Sequence, residues 1–255
     1  MPNERPKGPP EFGPVTIRTI GAALRLSLED MRRAKGFGVL FTLPYIIGGW
    51  FFAWVTWLTG ESYWLIFAAV GFPLFGPFAS IGLYEVSRRL ENGLPMDRRA
   101  ILGVVSRQIT GQLPWLSAVI IMIVMFWFFL GHMIFALFLG LSAMTNITSS
   151  FDVYFTTEGL QMLAVGSAVG AVFAFIVFAI SVFGIPMLLE RKVDFVTAML
   201  VSFKTVQDNW LACLIWAACI VVSLGVAMLP GFLGLFFVMP LLGHASWHLY
   251  DQAKT

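Results

Sequence analysis

The chain has 255 residues, of which 58% are hydrophobic and only 12% charged, and it carries 25 Phe and 9 Trp. A soluble domain has roughly 25% charged residues and too little interior to hide this much apolar surface, so the composition excludes a soluble globular protein and points to several membrane crossings. The net charge of +2 says little until its distribution along the chain is read.

Residues 1–14 are polar and Pro-rich and read as a flexible tail without the apolar core of a signal peptide. Residues 15–35 read as an interfacial helix. Ile17, Ile20, Leu24, Leu28 and Met31 fall on one stripe, and Arg18, Arg25, Glu29 and Arg32 on another. Such a helix suits a headgroup boundary, and it suits equally well a docking position on the rest of the protein.

Six apolar runs follow, near 38–58, 63–84, 113–143, 159–189, 209–229 and 231–250. Each has about the 20 residues needed to cross hydrocarbon. The third and fourth are longer than that, and Gly131 and Pro186 are the expected points of irregularity. Pro230 and Gly231 make a tight turn between the last two. The expected fold is therefore all-α, a polytopic six-helix transmembrane bundle forming one membrane domain over 15–250, with 251–255 as a short C-terminal tail. Residues 96–111 and 192–207 carry apolar stripes beside polar residues, as 15–35 does. The chain thus reads as three repeats of an amphipathic helix followed by a membrane hairpin.

All 16 Lys and Arg fall on one side of the six-span arrangement. The other side, made by 59–62 and 144–158, carries only Glu61, Asp152 and Glu158. The positive-inside rule then places both termini in the cytoplasm.

Few residues carry chemistry. Arg88, Arg89, Arg98 and Arg99 crowd one connection and are candidates for anionic lipid headgroups, at about 1 kcal/mol per basic group. His244 and His248 share a helix face at i,i+4 and could ligate a metal or haem, with His132 as a remote third histidine. The span offers no third ligand nearby, so no cofactor is expected. Cys213 and Cys219 fall on different helix faces and read as buried inert thiols. Gly166 and Gly170 let a neighbouring helix approach closely. Trp50, Phe51, Trp54 and Trp57 make the outer half of the first span unusually aromatic, as a lipid belt or as a seat for another membrane subunit. Nothing matches a nucleophile elbow, a phosphate loop, a zinc-protease helix or a dinucleotide fingerprint.

Four blocks carry a wider likeness: Gly76-Pro77-Phe78 through Leu83-Tyr84-Glu85 to Glu91, Phe178 to Arg191, Val193 to Met199, and Gly243 to Tyr250. Over about Thr16 to Tyr250 they resemble a bacterial integral-membrane family catalogued as a domain of unknown function, number twenty-one eighty-nine. The resemblance implies a six-helix protein of the bacterial inner membrane, and it brings no catalytic residues. The expected role is a non-enzymatic accessory, adaptor or assembly subunit on a larger membrane complex, with respiratory complexes as hosts. Its expected partners are anionic lipids and other membrane subunits, and no nucleic acid. A small transporter or channel is the alternative, and a metal or haem protein using His132, His244 and His248 the weaker one.

Overall fold

A computed structural model describes residues 5–60, 64–143 and 151–255. Among them the secondary structure is helical throughout, in the order α1 (Ile17–Arg33), α2 (Lys35–Thr59), α3 (Trp64–Glu91), α4 (Arg98–Ile109), α5 (Leu113–Ala143), a 3-10 turn (Phe151–Phe155), α6 (Thr157–Ser181), α7 (Gly184–Glu190), α8 (Phe195–Asp208), α9 (Trp210–Met228) and α10 (Leu235–Ala253). Four stretches of the described residues are long and apolar enough to cross a membrane: Lys35–Thr59, Leu113–Gly140, Thr157–Glu190 and Trp210–Met228. The expected second and sixth spans correspond to α3 and α10, whose last turns hold Arg88, Arg89, His244 and His248 and are less apolar. The connections expected at 59–62 and 144–158 fall partly outside the described residues.

Local chemistry sets the helix ends. Thr16 and Thr19 close a reciprocal capping box that starts α1. Asp194 starts α8 by accepting from the backbone N–H of Thr197 at 2.9 Å and from its hydroxyl at 2.7 Å. That hydroxyl, with the backbone donors, holds the Asp194 carboxyl below the usual carboxylate range. At the other end of α2, Gly60 adopts φ 70°, the left-handed conformation that glycine takes at a helix C-terminus.

The expected break at Pro186 is present. The proline lacks an N–H and its ring crowds the carbonyl four residues back, and the helical path parts at Val182–Phe183 between α6 and α7. Ser202 of α8 fills the gap: its hydroxyl donates to Ala179 O at 2.6 Å and accepts from Phe183 N at 3.1 Å. Gly131, by contrast, lies within regular helix. The irregular residue of α5 is Gly140, at φ 75° and ψ 166°, where no side chain resists the turn.

Helices approach closely where glycine removes the Cβ. A Cβ on Gly82 of α3 would overlap the Phe41 ring of α2, and one on Gly243 of α10 would meet Leu83. The main core joins Ile81, Leu116, Phe183, Met187, Trp216, Trp247 and Leu249.

α1 differs from the expected stripe. Its buried residues are Ile20, Ala23, Ser27 and Asp30, while Ile17 and Leu28 are exposed. The helix is turned so that small and polar groups meet α10, where the Ser27 hydroxyl donates to Leu241 O at 2.6 Å. The segment expected as a free tail is strapped to the body from Arg5 onward. Lys192 N donates to Pro6 O, Gly13 N to Ala253 O, and Thr255 N to Glu11 O. Phe12 packs between the rings of Phe183 and Tyr250, at 5.3 and 5.7 Å. Cys213 is buried, but Cys219 is exposed on α9, so only one thiol is buried as expected.

Candidate functional site

The densest polar chemistry sits at the basic end of the bundle, where α1, α3, α7 and α10 meet. α10 brings two turns of buried residues there, from His244 to Tyr250. His248 stands at the centre. Its Nε2 lies 2.7 Å from Asp30 Oδ2 of α1, and its Nδ1 lies 2.8 Å from Glu91 Oε1 of α3. Trp247 donates its indole N–H to the other Glu91 oxygen at 2.8 Å. Two carboxylates accept and neither donates, so the ring supplies an N–H on both sides. His244, one turn earlier, is fully buried and pairs through Nδ1 with the Ser87 hydroxyl at 2.7 Å, while its Nε2 has no hydrogen-bond partner.

Beside this cluster, the wholly buried Glu85 carboxylate holds both arginines of its own helix. Arg88 meets it at 2.8 and 3.0 Å and Arg89 at 2.7 Å, and Arg89 also donates to Pro95 O. On the far side, Glu190 of α7 accepts from the Tyr250 hydroxyl at 2.6 Å and from Lys254 Nζ at 2.7 Å. Lys254 also reaches Asp251. Burial works against the Lys254 ammonium, yet these carboxylates hold its pKa above the ordinary lysine value.

The arrangement is a rigid junction of charge-assisted hydrogen bonds in which nearly every partner is internal. It cross-links α1, the ends of α3 and α7, and α10. The sequence blocks around Tyr84-Glu85, Glu190-Arg191 and Trp247-His248 converge here, with the Tyr84 and Trp247 rings 6.2 Å apart.

The other sequence candidates scatter. His132 lies exposed on α5, its ring tilted against that of Phe128, with Nδ1 2.8 Å from Phe128 O. It does not join His244 and His248, whose rings face Ser87 and the two carboxylates. Among the described residues no group of His, Cys, Asp and Glu is placed to hold a metal. Arg88 and Arg89 are engaged with Glu85, whereas Arg98 and Arg99 are exposed at the start of α4, with Asp97 as its N-cap. Gly166 and Gly170 face α5, the latter against the Trp127 indole. Trp50, Phe51, Trp54 and Trp57 are all exposed, and Trp50 also donates its indole N–H to Gly231 O at 2.8 Å.

Sequence reasoning missed Ser27, Asp30, Glu85, Glu91 and Glu190. The available signal was their position. Ser27 and Asp30 continue the spacing of Ile20 and Ala23 along one face, and Glu85 sits one turn before two arginines.

A helical chain with long apolar helices and its charges gathered at one end is an integral membrane protein. Residues 65–190 match the family described as "Predicted integral membrane protein (DUF2189)". The DUF2189 match runs from α3 through α7 and holds Glu85, Glu91 and Glu190, whereas Asp30, His244 and His248 come from α1 and α10 outside it. No curated protein and no solved structure matches the chain.

Proposed function

We propose that the protein is a non-enzymatic accessory or adaptor subunit that docks on a larger assembly of the bacterial inner membrane through the outer face of α2. The observation that carries this is the aromatic ribbon of α2: Phe51, Trp54 and Trp57 are 52%, 56% and 80% exposed in consecutive turns. Trp50 fixes the neighbouring turn by its bond to Gly231 O, so the ribbon is presented on a held helix. In lipid, association draws on close packing rather than on hydrophobic transfer, and large rigid side chains concentrate such contact area.

The order of short helix, long helix, long helix recurs as α1–α2–α3, α4–α5–α6 and α8–α9–α10. It supports three repeats and six crossings, with both termini on the side holding the arginines, the cytoplasmic side by the positive-inside rule.

The test is isolation from membranes of the native host in a mild detergent, with identification of co-migrating subunits. The expected result is co-migration with a larger membrane complex, lost in a Trp54→Leu, Trp57→Leu double variant that still inserts and folds. Wild-type protein that migrates alone overturns the proposal, as does a double variant that co-migrates unchanged.

A further inference from the structure

Between α3, α5, α6, α9 and α10 runs a lateral chamber of about 1140 Å³. It exceeds the roughly 300–1,000 Å³ of ordinary small-molecule sites. Its length is unusual too. Along α6 its wall extends from Met162 to Ser181, about 28 Å at the helical rise, close to the ~30 Å of the hydrocarbon core. Small residues hollow out the α6 wall at Gly166, Ala171 and Ala174, while Ala217 and Ala218 do the same on α9. Among the described residues that line it, none carries a charge.

Polar groups gather at the basic end of this chamber. Ser80 and Tyr84 of α3 and Ser246 of α10 line it together. Proton accounting fixes what they can recognise. The Ser80 hydroxyl donates to Gly76 O at 3.0 Å, and the Ser246 hydroxyl to Leu242 O at 2.8 Å. The protons of both serines are thus spent on backbone carbonyls of their own helices. The two serine oxygens therefore offer lone pairs and no spare hydrogen, beside a Tyr84 hydroxyl that can accept as well as donate, a set that an alcohol group matches.

We propose that this chamber is a binding site for a long-chain lipid alcohol, whose hydrocarbon chain lies along α6 and α9 and whose hydroxyl donates to the Ser80–Tyr84–Ser246 group. An anionic head finds no cation in the lining, and a bare alkane leaves the acceptor group unmet. Because the surrounding bilayer is already apolar, filling the chamber with hydrocarbon gives little preference by itself. Selectivity rests on shape and on the hydrogen bond at the tip. No residue of the α2 ribbon is among the residues that line the chamber, so the site stands or falls independently of the docking proposal.

The experiment uses the full-length protein in phosphatidylcholine vesicles with hexadecanol carrying a mid-chain diazirine, and the matching palmitic acid as a second probe. On irradiation the alcohol is expected to label α6 and α9 at chamber-lining positions around Ala174 and Ala217, with labelling competed by unlabelled hexadecanol. Tyr84→Phe, which keeps the ring, is expected to weaken retention roughly two- to tenfold, the worth of one hydrogen bond. Ala217→Phe fills the chamber and is expected to abolish the competed label while leaving the tip intact. The proposal is overturned if label spreads evenly over outer positions such as Trp57 and Leu137, if palmitic acid labels the chamber as well as the alcohol does, or if Ala217→Phe labels as wild type.

Discussion

His248 Nε2 lies 2.7 Å from Asp30 Oδ2, joining residues 218 positions apart at the buried junction of α1 and α10. Glu91 stands on the ring's other nitrogen, so His248 holds two acidic groups from two different helices. It therefore acts as a structural cation between α1 and α3. A buried pair stripped of one partner leaves an uncompensated charge, which costs about 3–5 kcal/mol. His248→Ala is expected to lower stability by that order, and Asp30→Ala by more than Glu91→Ala, because the Asp30 side chain is 8% exposed and that of Glu91 28%. The double variant Asp30→Asn, His248→Gln should recover part of the loss. Thermal unfolding in detergent measures all four, and single variants that unfold with the wild type would remove the structural role.

Ser202 gives a second prediction. Its hydroxyl serves two backbone groups released at the α6–α7 break. Ser202→Ala strands a buried carbonyl and a buried N–H, with an expected cost of about 1–3 kcal/mol. Hydrogen exchange at the Phe183 amide should accelerate in the variant while exchange in the middle of α9 stays as it was. Unchanged exchange at Phe183 would show that the break is satisfied in another way.

The course of the long helices was legible in the sequence because crossing hydrocarbon demands length and apolarity, which can be counted. Pro186 was legible for a related reason: a missing N–H acts on its own helix. The junction was not legible. Asp30 looks like one more polar residue of an amphipathic helix until His248 is brought against it, and no spacing rule links positions so far apart. The apolar stripe of α1 misled for the same reason. Its docking surface is defined by Ser27 and Asp30, whose partners on α10 make polarity favourable inside. Gly131 misled differently, since a glycine permits a break but requires none. Gly170 lies against the Trp127 indole of α5, a neighbour that no spacing in the sequence names.

The close approach of α2 and α3 at Gly82 supplies a third prediction. A Cβ there would overlap the Phe41 ring, so Gly82→Ala overpacks the contact and is expected to cost about 1–3 kcal/mol. Phe41→Leu on the Gly82→Ala background should restore part of it, because the smaller side chain vacates the space the methyl group takes. If the two substitutions simply add in thermal unfolding, α2 and α3 do not meet in this way.

The last prediction separates the four arginines first grouped by proximity. Arg88 and Arg89 are committed to Glu85, which has no exposed surface. Arg98 and Arg99 stand exposed at the start of α4. Anionic lipid should therefore depend on the second pair. At about 1 kcal/mol per basic group near an anionic surface, Arg98→Ala with Arg99→Ala is expected to lower the retention of cardiolipin in native mass spectrometry by roughly tenfold or more, with little change in unfolding temperature. Arg88→Ala with Arg89→Ala should do the reverse. It leaves the Glu85 carboxylate buried without a counter-charge, so stability falls by about 3–5 kcal/mol, while lipid retention by the protein that remains folded changes little. Equal lipid loss from both double variants would mean that the Glu85 pairing does not withdraw Arg88 and Arg89 from the headgroups.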